Sequence, residues 1–261
     1  MTEKKASTDY PIHELLTQRW SPYAFDPRPV AEVDLRSLFE AARWAPSSYN
    51  EQPWRYIVAT KDDPDQFQRL LSCLVEANQI WAKGAPVLAL GVASLRFAAN
   101  AKDNRAAVHD LGLASGSLLV EATARGLSVH QMIGILPDKA REVYGIPDGF
   151  EAWTGIAIGY KADPTSLPDR LRERDLALRQ RKPLRDLVFS GKWGSPSPLL
   201  VGEVVLASRS SSALGLSRAM EGHGALGGLR SGLRRSARRS FSDVTGVASL
   251  SVPGSLRDFE S

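Results

Sequence analysis

Ala45-Pro46-Ser47-Ser48-Tyr49-Asn50-Glu51-Gln52-Pro53-Trp54 separates a helical run from a strand-like one. Pro46 and Pro53 each fix φ and lack an N–H, so neither a helix nor a central strand continues through this stretch. Between them lie two serine hydroxyls, an asparagine and a glutamine, able to bond a polar heteroaromatic ligand or neighbouring backbone. Composition alone makes the decapeptide a helix end, a turn and a strand start. A binding role stays open beside that reading.

Outward to the N-terminal side, Val30 to Trp44 carries Val33, Leu35, Leu38, Phe39, Ala41 and Ala42 at helical spacing. Pro11 to Arg19 predicts a shorter helix with Ile12, Leu15 and Leu16 as its apolar stripe. Pro22, Pro27 and Pro29 then break regularity. In that gap Arg19 and Ser21 are close enough in sequence to hold one phosphate, since a guanidinium fork bonds two oxygens at once. An Arg-x-Ser is common, and a surface role suits it equally.

Outward to the other side, Tyr56 to Thr60 reads as a strand, Pro64 to Ala77 as a helix, and Pro86 to Ala93, a continuous apolar run, as a buried strand. Asn78-Gln79-Ile80-Trp81 between them reads as a surface turn. Asn104 to Arg125 predicts the longest helix, with Gly112, Ala114, Ser115 and Gly116 in its middle. Glycine costs roughly 1 kcal/mol against alanine there, so close packing against another helix or a cofactor is needed to explain it. His109 and Asp110 are neighbours on this helix and are expected to face different ways, with a packing or capping role rather than a catalytic one. Leu127 to Met132 and Trp153 to Tyr160 predict strands, and Pro137 to Tyr144 a helix closed by Gly145.

Gln18-Arg19-Trp20-Ser21 together with the Ala45–Trp54 motif resembles the paired signature of the nitroreductase family of FMN-dependent oxidoreductases, over about residues 12–193. His130-Gln131-Met132 followed by Gly134 is similar to one subgroup in particular. The resemblance implies an α+β fold, a three-layer sandwich whose mostly antiparallel central sheet is flanked by helices. It also implies a homodimer in which Leu184 to Phe189 is an extended arm adding a strand to the partner's sheet. By the same resemblance, FMN is held by Arg19, Trp20 and Ser21, by Asn78, by the turn Gln131, Met132, Ile133 and Gly134, and by Arg179 and Arg181 at the phosphate. Pro46, Ser47, Ser48 and Asn50 are implied to reach it across the subunit interface. Tyr23 and Trp81 stand where other members carry basic residues, and Trp81 is expected to narrow the pocket or stack on a ligand.

The implied activity is NADH- or NADPH-dependent reduction of a nitroaromatic, a quinone or a similar small-molecule electron acceptor by a ping-pong cycle, with no side chain assigned as general acid. Other flavin chemistry on the same fold (dehalogenation, dehydrogenation, flavin fragmentation) is the nearest alternative. A non-catalytic flavin- or nucleic-acid-binding protein is the more distant one. No metal is expected, since His130 has no second ligand at metal spacing. Three segments follow: a flexible N-terminus 1–9, an FMN-binding domain 10–195, and a tail 196–261.

The chain has 261 residues, 43% of them apolar, enough for a sizeable core. No run has the roughly 18 to 20 apolar residues of a membrane span. Met1 to Tyr10 lacks the apolar core of a signal peptide. The single Cys73 suits a reducing compartment, so a cytoplasmic location is expected. From Val201 onward there are 8 arginines and 5 acids, which leaves the first 200 residues with 25 basic and 24 acidic side chains. The domain is therefore nearly neutral, and its charge gives no argument for nucleic acid as its substrate. Arginine, serine and glycine form about half of the tail. Disorder is its default, and a chance extension from a shifted reading frame is preferred over a charge-driven nucleic-acid contact. Catalysis is expected not to need it.

Overall fold

The computed structural model describes residues 4–200. The expectations for the tail beyond Leu200 lie outside the described residues. Two helices, α1 (Glu14–Gln18) and α2 (Glu32–Arg43), precede the first strand, β1 (Trp54–Thr60). Then come α3 (Pro64–Leu71), α4 (Glu76–Ala82) and β2 (Val87–Ser94), followed by α5 (Ala107–Ala124) and β3 (Ser128–Met132). The last of the core are α6 (Pro137–Tyr144), β4 (Phe150–Gly159) and α7 (Asp169–Leu176). Local chemistry fixes several ends. Asp63 caps α3 through the Gln66 N–H with Pro64 in the first turn, and Gly145, at φ +61°, closes α6 in the left-handed conformation.

The sheet is antiparallel throughout, in the order β1-β2-β4-β3. Because β2 is central, its side chains are buried on both faces: Leu88, Leu90 and Val92 on one, Val87, Ala89 and Ala93 on the other. The first face packs on α3, α4 and α6 through Phe67, Leu70, Trp81 and Ala140, the second on α2 and α5 through Leu38, Ala42, Leu111 and Leu118. Three layers result, the expected α+β sandwich. Between β2 and β4 the register breaks: Gly91 pairs with Thr154 but Val92 with Ala152, leaving Trp153 as an extra residue. This bulge changes the alternation of β4, so that Trp153 and Thr154 line the same cavity.

Three expectations change. The helix predicted over 64–77 is two helices, because the chain between them pairs with the turn after β3: Val75 N–H donates to Gly134 O (3.1 Å) and Leu136 N–H to Cys73 O (2.7 Å). Asn78 to Trp81 is not a turn but part of α4, and Trp81 is 2% exposed. It fills the core beneath the sheet and does not stand over a ligand pocket. Leu184–Asp186 is a 3-10 turn, and beyond it Phe189 bridges Pro196, so 184–189 is not one extended strand. Within the described part of the N-terminal segment, Ala6 N–H donates to Thr17 O at 2.9 Å. Among the described residues no helix is long and apolar enough to cross a membrane.

Candidate active site

Four side chains named from the sequence meet near the start of β3. Arg19 lines a small cavity with Ser128, and its Nη1 donates to Ser21 Oγ at 3.3 Å. Burial, and then the nearby charges of Arg179 and Arg181, push the Arg19 guanidinium below its ordinary range. Arg179 is lowered by burial and by Arg181. Its Nη1 is engaged by Thr17 O (2.6 Å) and Lys4 O (3.2 Å). Three guanidinium groups thus repel one another, an arrangement that a polyanion relieves. Trp20 stands beside Arg19 in the same small cavity, with Lys4 Nζ 4.2 Å from its ring centroid.

The carboxylate in this neighbourhood is Asp175, 2% exposed. It accepts the N–H groups of Tyr23 (2.8 Å) and Ala24 (3.4 Å). Burial raises its pKa against the pull of these two bonds. Opposite, His130 Nδ1 lies 2.9 Å from Pro22 O, which can only accept, so Nδ1 carries the proton. Burial lowers the His130 pKa, and its ring packs on Tyr23 and Trp81, at centroid distances of 4.7 and 4.4 Å.

At the far end of β3 the residues Gln131, Met132 and Ile133 line a cavity of about 400 Å³, closed by Val108, Leu111, Gly112 and Ser115 of α5 and by the bulge residues Trp153 and Thr154. Gln131 Nε2 donates to Ser115 O (3.2 Å), and Thr154 Oγ1 to Met132 O (3.2 Å). The Trp153 indole N–H is buried without an acceptor among the described residues. Ile133 is 82% exposed at the rim. Beside it Asn78 Nδ2 donates to Gly134 O (2.9 Å), while its Oδ1 accepts from Trp81 Nε1 (3.3 Å). Asn78 thereby holds the Ile133–Gly134 turn, and a second Nδ2 hydrogen is left over for other use.

The Ala45–Trp54 motif forms a tight loop. Tyr49, Asn50 and Gln52 all have φ near +50°, a conformation that costs non-glycine residues about 1 kcal/mol or more each. Hydrogen bonds hold it: Ser48 N–H to Asp110 Oδ2 (2.9 Å), Gln52 N–H to Ser47 Oγ (3.0 Å) and Gln52 Nε2 to Asn50 Oδ1 (3.1 Å). Pro46 and Tyr49 are exposed, Tyr49 to 91%. The loop is tied to α5 of its own chain, and its hydrogen bonds do not run to the arginine corner.

The expectation that His109 and Asp110 face apart is overturned, since His109 Nδ1 is 2.9 Å from Asp110 Oδ1. The buried Asp110 carboxylate lies sideways toward Ser48, within reach of the more exposed imidazole. Asp110, given a packing or capping role from the sequence, fixes the Ser48 N–H of a distant loop, whereas Asp175, which fixes two backbone N–H groups, was not picked out. Their only signal is an acid at a position that helical spacing places inside. The Trp153 bulge carries no sequence signal comparable to a glycine or proline.

Fold and site together define an α+β protein with an anion-suited corner and an apolar cavity at opposite ends of one edge strand. The profile described as "Nitroreductase family" matches residues 16–160, more than half of the chain. A solved structure described as an oxidoreductase containing FMN is 37% identical, with a TM-score of 0.70 over 75% of this chain and 99% of that one. An uncharacterized 15.4 kDa protein of Mycolicibacterium smegmatis is 30% identical over 138 residues, which is 52% of this chain and 90% of the relative. A protein of Thermus thermophilus named NADH dehydrogenase is 28% identical over 166 residues, 52% of this chain and 79% of the relative. The chain belongs to the nitroreductase family, and it is an oxidoreductase.

Proposed function

We propose that this protein uses FMN and NADH or NADPH to reduce nitroaromatic, quinone or similar small acceptors, and does so as a homodimer. The observation that carries the reading is the division of labour along β3. Arg19, Ser21, Arg179 and Arg181 gather at its start, and the apolar cavity opens at its end. Five residues span about 13 Å in a strand, a length suited to a phosphate at one end and a flat ring system at the other. The residues fit the group: cations in excess at the corner, and at the cavity a tryptophan whose N–H has no acceptor.

When bound, FMN supplies the two-electron chemistry, and the protein contributes binding and orientation. Arg19, Arg181 and Ser21 bind the phosphate, with Arg179 and Trp20 beside them. Asn78, Gln131, Met132, Ile133 and Gly134 border the ring. Pro46, Ser47, Ser48 and Asn50 come from the partner. The described part of α5 supports a second copy: a Cβ added at Gly112 or Gly116 meets nothing within 4 Å, and both line an open groove of about 560 Å³ with Leu113 and Val120. The functional division at 195/196 and exchange of the C-terminal arm with the partner belong to this reading. Purified protein should be yellow, with a flavin spectrum that bleaches on anaerobic addition of NADH or NADPH. A colourless protein that binds no added FMN overturns the assignment.

A further inference from the structure

We propose that Asp175 is a positioning residue that sets the grip of Arg19 and Ser21 on a phosphate, an inference that rests on reading their corner as the FMN phosphate site. A carboxylate beside a phosphate site is electrostatically unfavourable, so Asp175 needs another reason to be there. Its geometry supplies one. Both carboxylate oxygens are used on backbone N–H groups, those of Tyr23 and Ala24, 152 and 151 residues away in sequence. From the opposite side His130 donates to Pro22 O at 2.9 Å. The three residues directly after Ser21 are thus clamped between the end of α7 and β3, which fixes where the preceding Arg19–Ser21 segment lies.

The same residue orients the other half of the corner. Asp175 lies in the last turn of α7, four residues before Arg179 and six before Arg181. Its backbone carbonyl accepts Lys4 Nζ at 2.5 Å, and Arg179 Nη1 closes the staple on Thr17 O at 2.6 Å. The N-terminal and C-terminal arginines therefore meet where the Asp175 carboxylate fixes the segment after Ser21 and its backbone carbonyl, through Lys4, ties the end of α7 to the N-terminal segment.

Riboflavin differs from FMN only by the phosphate, which gives the test. Fluorescence titration of flavin-free, full-length wild type should show FMN preferred by about tenfold or more, the value of one charge-assisted contact. Arg19→Ala should remove most of that preference. Asp175→Asn should cut it about threefold or more while riboflavin affinity stays within about twofold, since a partial loss of orientation is worth less than the contact itself. If Asp175→Asn does not fold, Asp175→Glu, which keeps the charge but displaces both acceptors, is read by the same ratio. An unchanged ratio, or an equal loss for both flavins, overturns the role of Asp175. A wild type without preference overturns the phosphate corner itself, leaving the two failures distinguishable.

Discussion

At Gly134 an added Cβ would come 2.4 Å from Asn78 Nδ2 and 2.9 Å from Val75 Cγ2. Gly134→Ala should therefore destabilise the fold by roughly 1–3 kcal/mol, the usual cost of overpacking. Part of that loss should be recovered in the double variant with Asn78→Ala, because the two sites share one contact. Urea unfolding of the four proteins checks this, and strict additivity would contradict it. At the arginine corner, Arg19→Ala and Arg181→Ala should each weaken FMN binding about tenfold to hundredfold in a fluorescence titration. Unchanged affinity in both would remove the phosphate from this place. His130 gives a pH dependence. Its folded pKa is lowered, mainly by burial, so below its ordinary value of 6.5 the unfolded chain takes up a proton that the folded one resists. Its contribution is present above pH 6.5 and is lost as pH falls from there toward the folded value. Unfolding free energy measured from pH 8 to 5 should drop less steeply in His130→Gln than in wild type, and identical slopes would contradict this. Arg19, Ser21 and Gly134 were singled out through the family resemblance, not by their own residue pattern. Neither pointed to Asp175, whose partners are backbone groups more than 150 positions away and leave no local pattern.

Among the elements, α5 is the one on which the proposed dimer rests. It is apolar around much of its circumference, with Leu111, Ala114 and Leu118 on the sheet and Val108 and Leu113 partly exposed. A Cβ added at Gly112 or Gly116 meets nothing within 4 Å among the described residues. Gly116→Leu should fill the groove and shift the protein to monomers in sedimentation velocity, with loss of retained flavin. A dimer of unchanged stability would place the interface elsewhere. The periodicities of α2 and α5 were plain because each buries a continuous face, β2 showed as an unbroken apolar run, and α6 was marked by Pro137 and Gly145 at its ends. What escaped was set by tertiary pairing. The break between α3 and α4 exists to let Val75 and Cys73 bond the turn at Gly134 and Leu136, and the Trp153 bulge follows from the register between β2 and β4. Neither is written in local composition.

For the whole molecule, the proposal puts nicotinamide and acceptor at one rim, where Ile133 stands exposed above an apolar cavity of about 400 Å³. One exposed flavin face would have to serve both, so the two substrates should alternate. Initial rates against NADH or NADPH at several acceptor concentrations should give parallel double-reciprocal lines. Intersecting lines would mean that both bind together.

The staple from α7 to the segment after Ser21 also has a bearing on biosynthesis. All four strands are complete by Gly159, yet Asp175, Arg179 and Arg181 follow them. A nascent chain can form its sheet and its layers while still tethered to the ribosome, but the corner that gathers three arginines stays open until those last residues emerge. On the proposed reading, loading of an anionic cofactor follows formation of the sheet rather than preceding it. A polypeptide truncated just after β4 would carry the four described strands but lack α7 and, with it, the residues proposed to hold the phosphate in place.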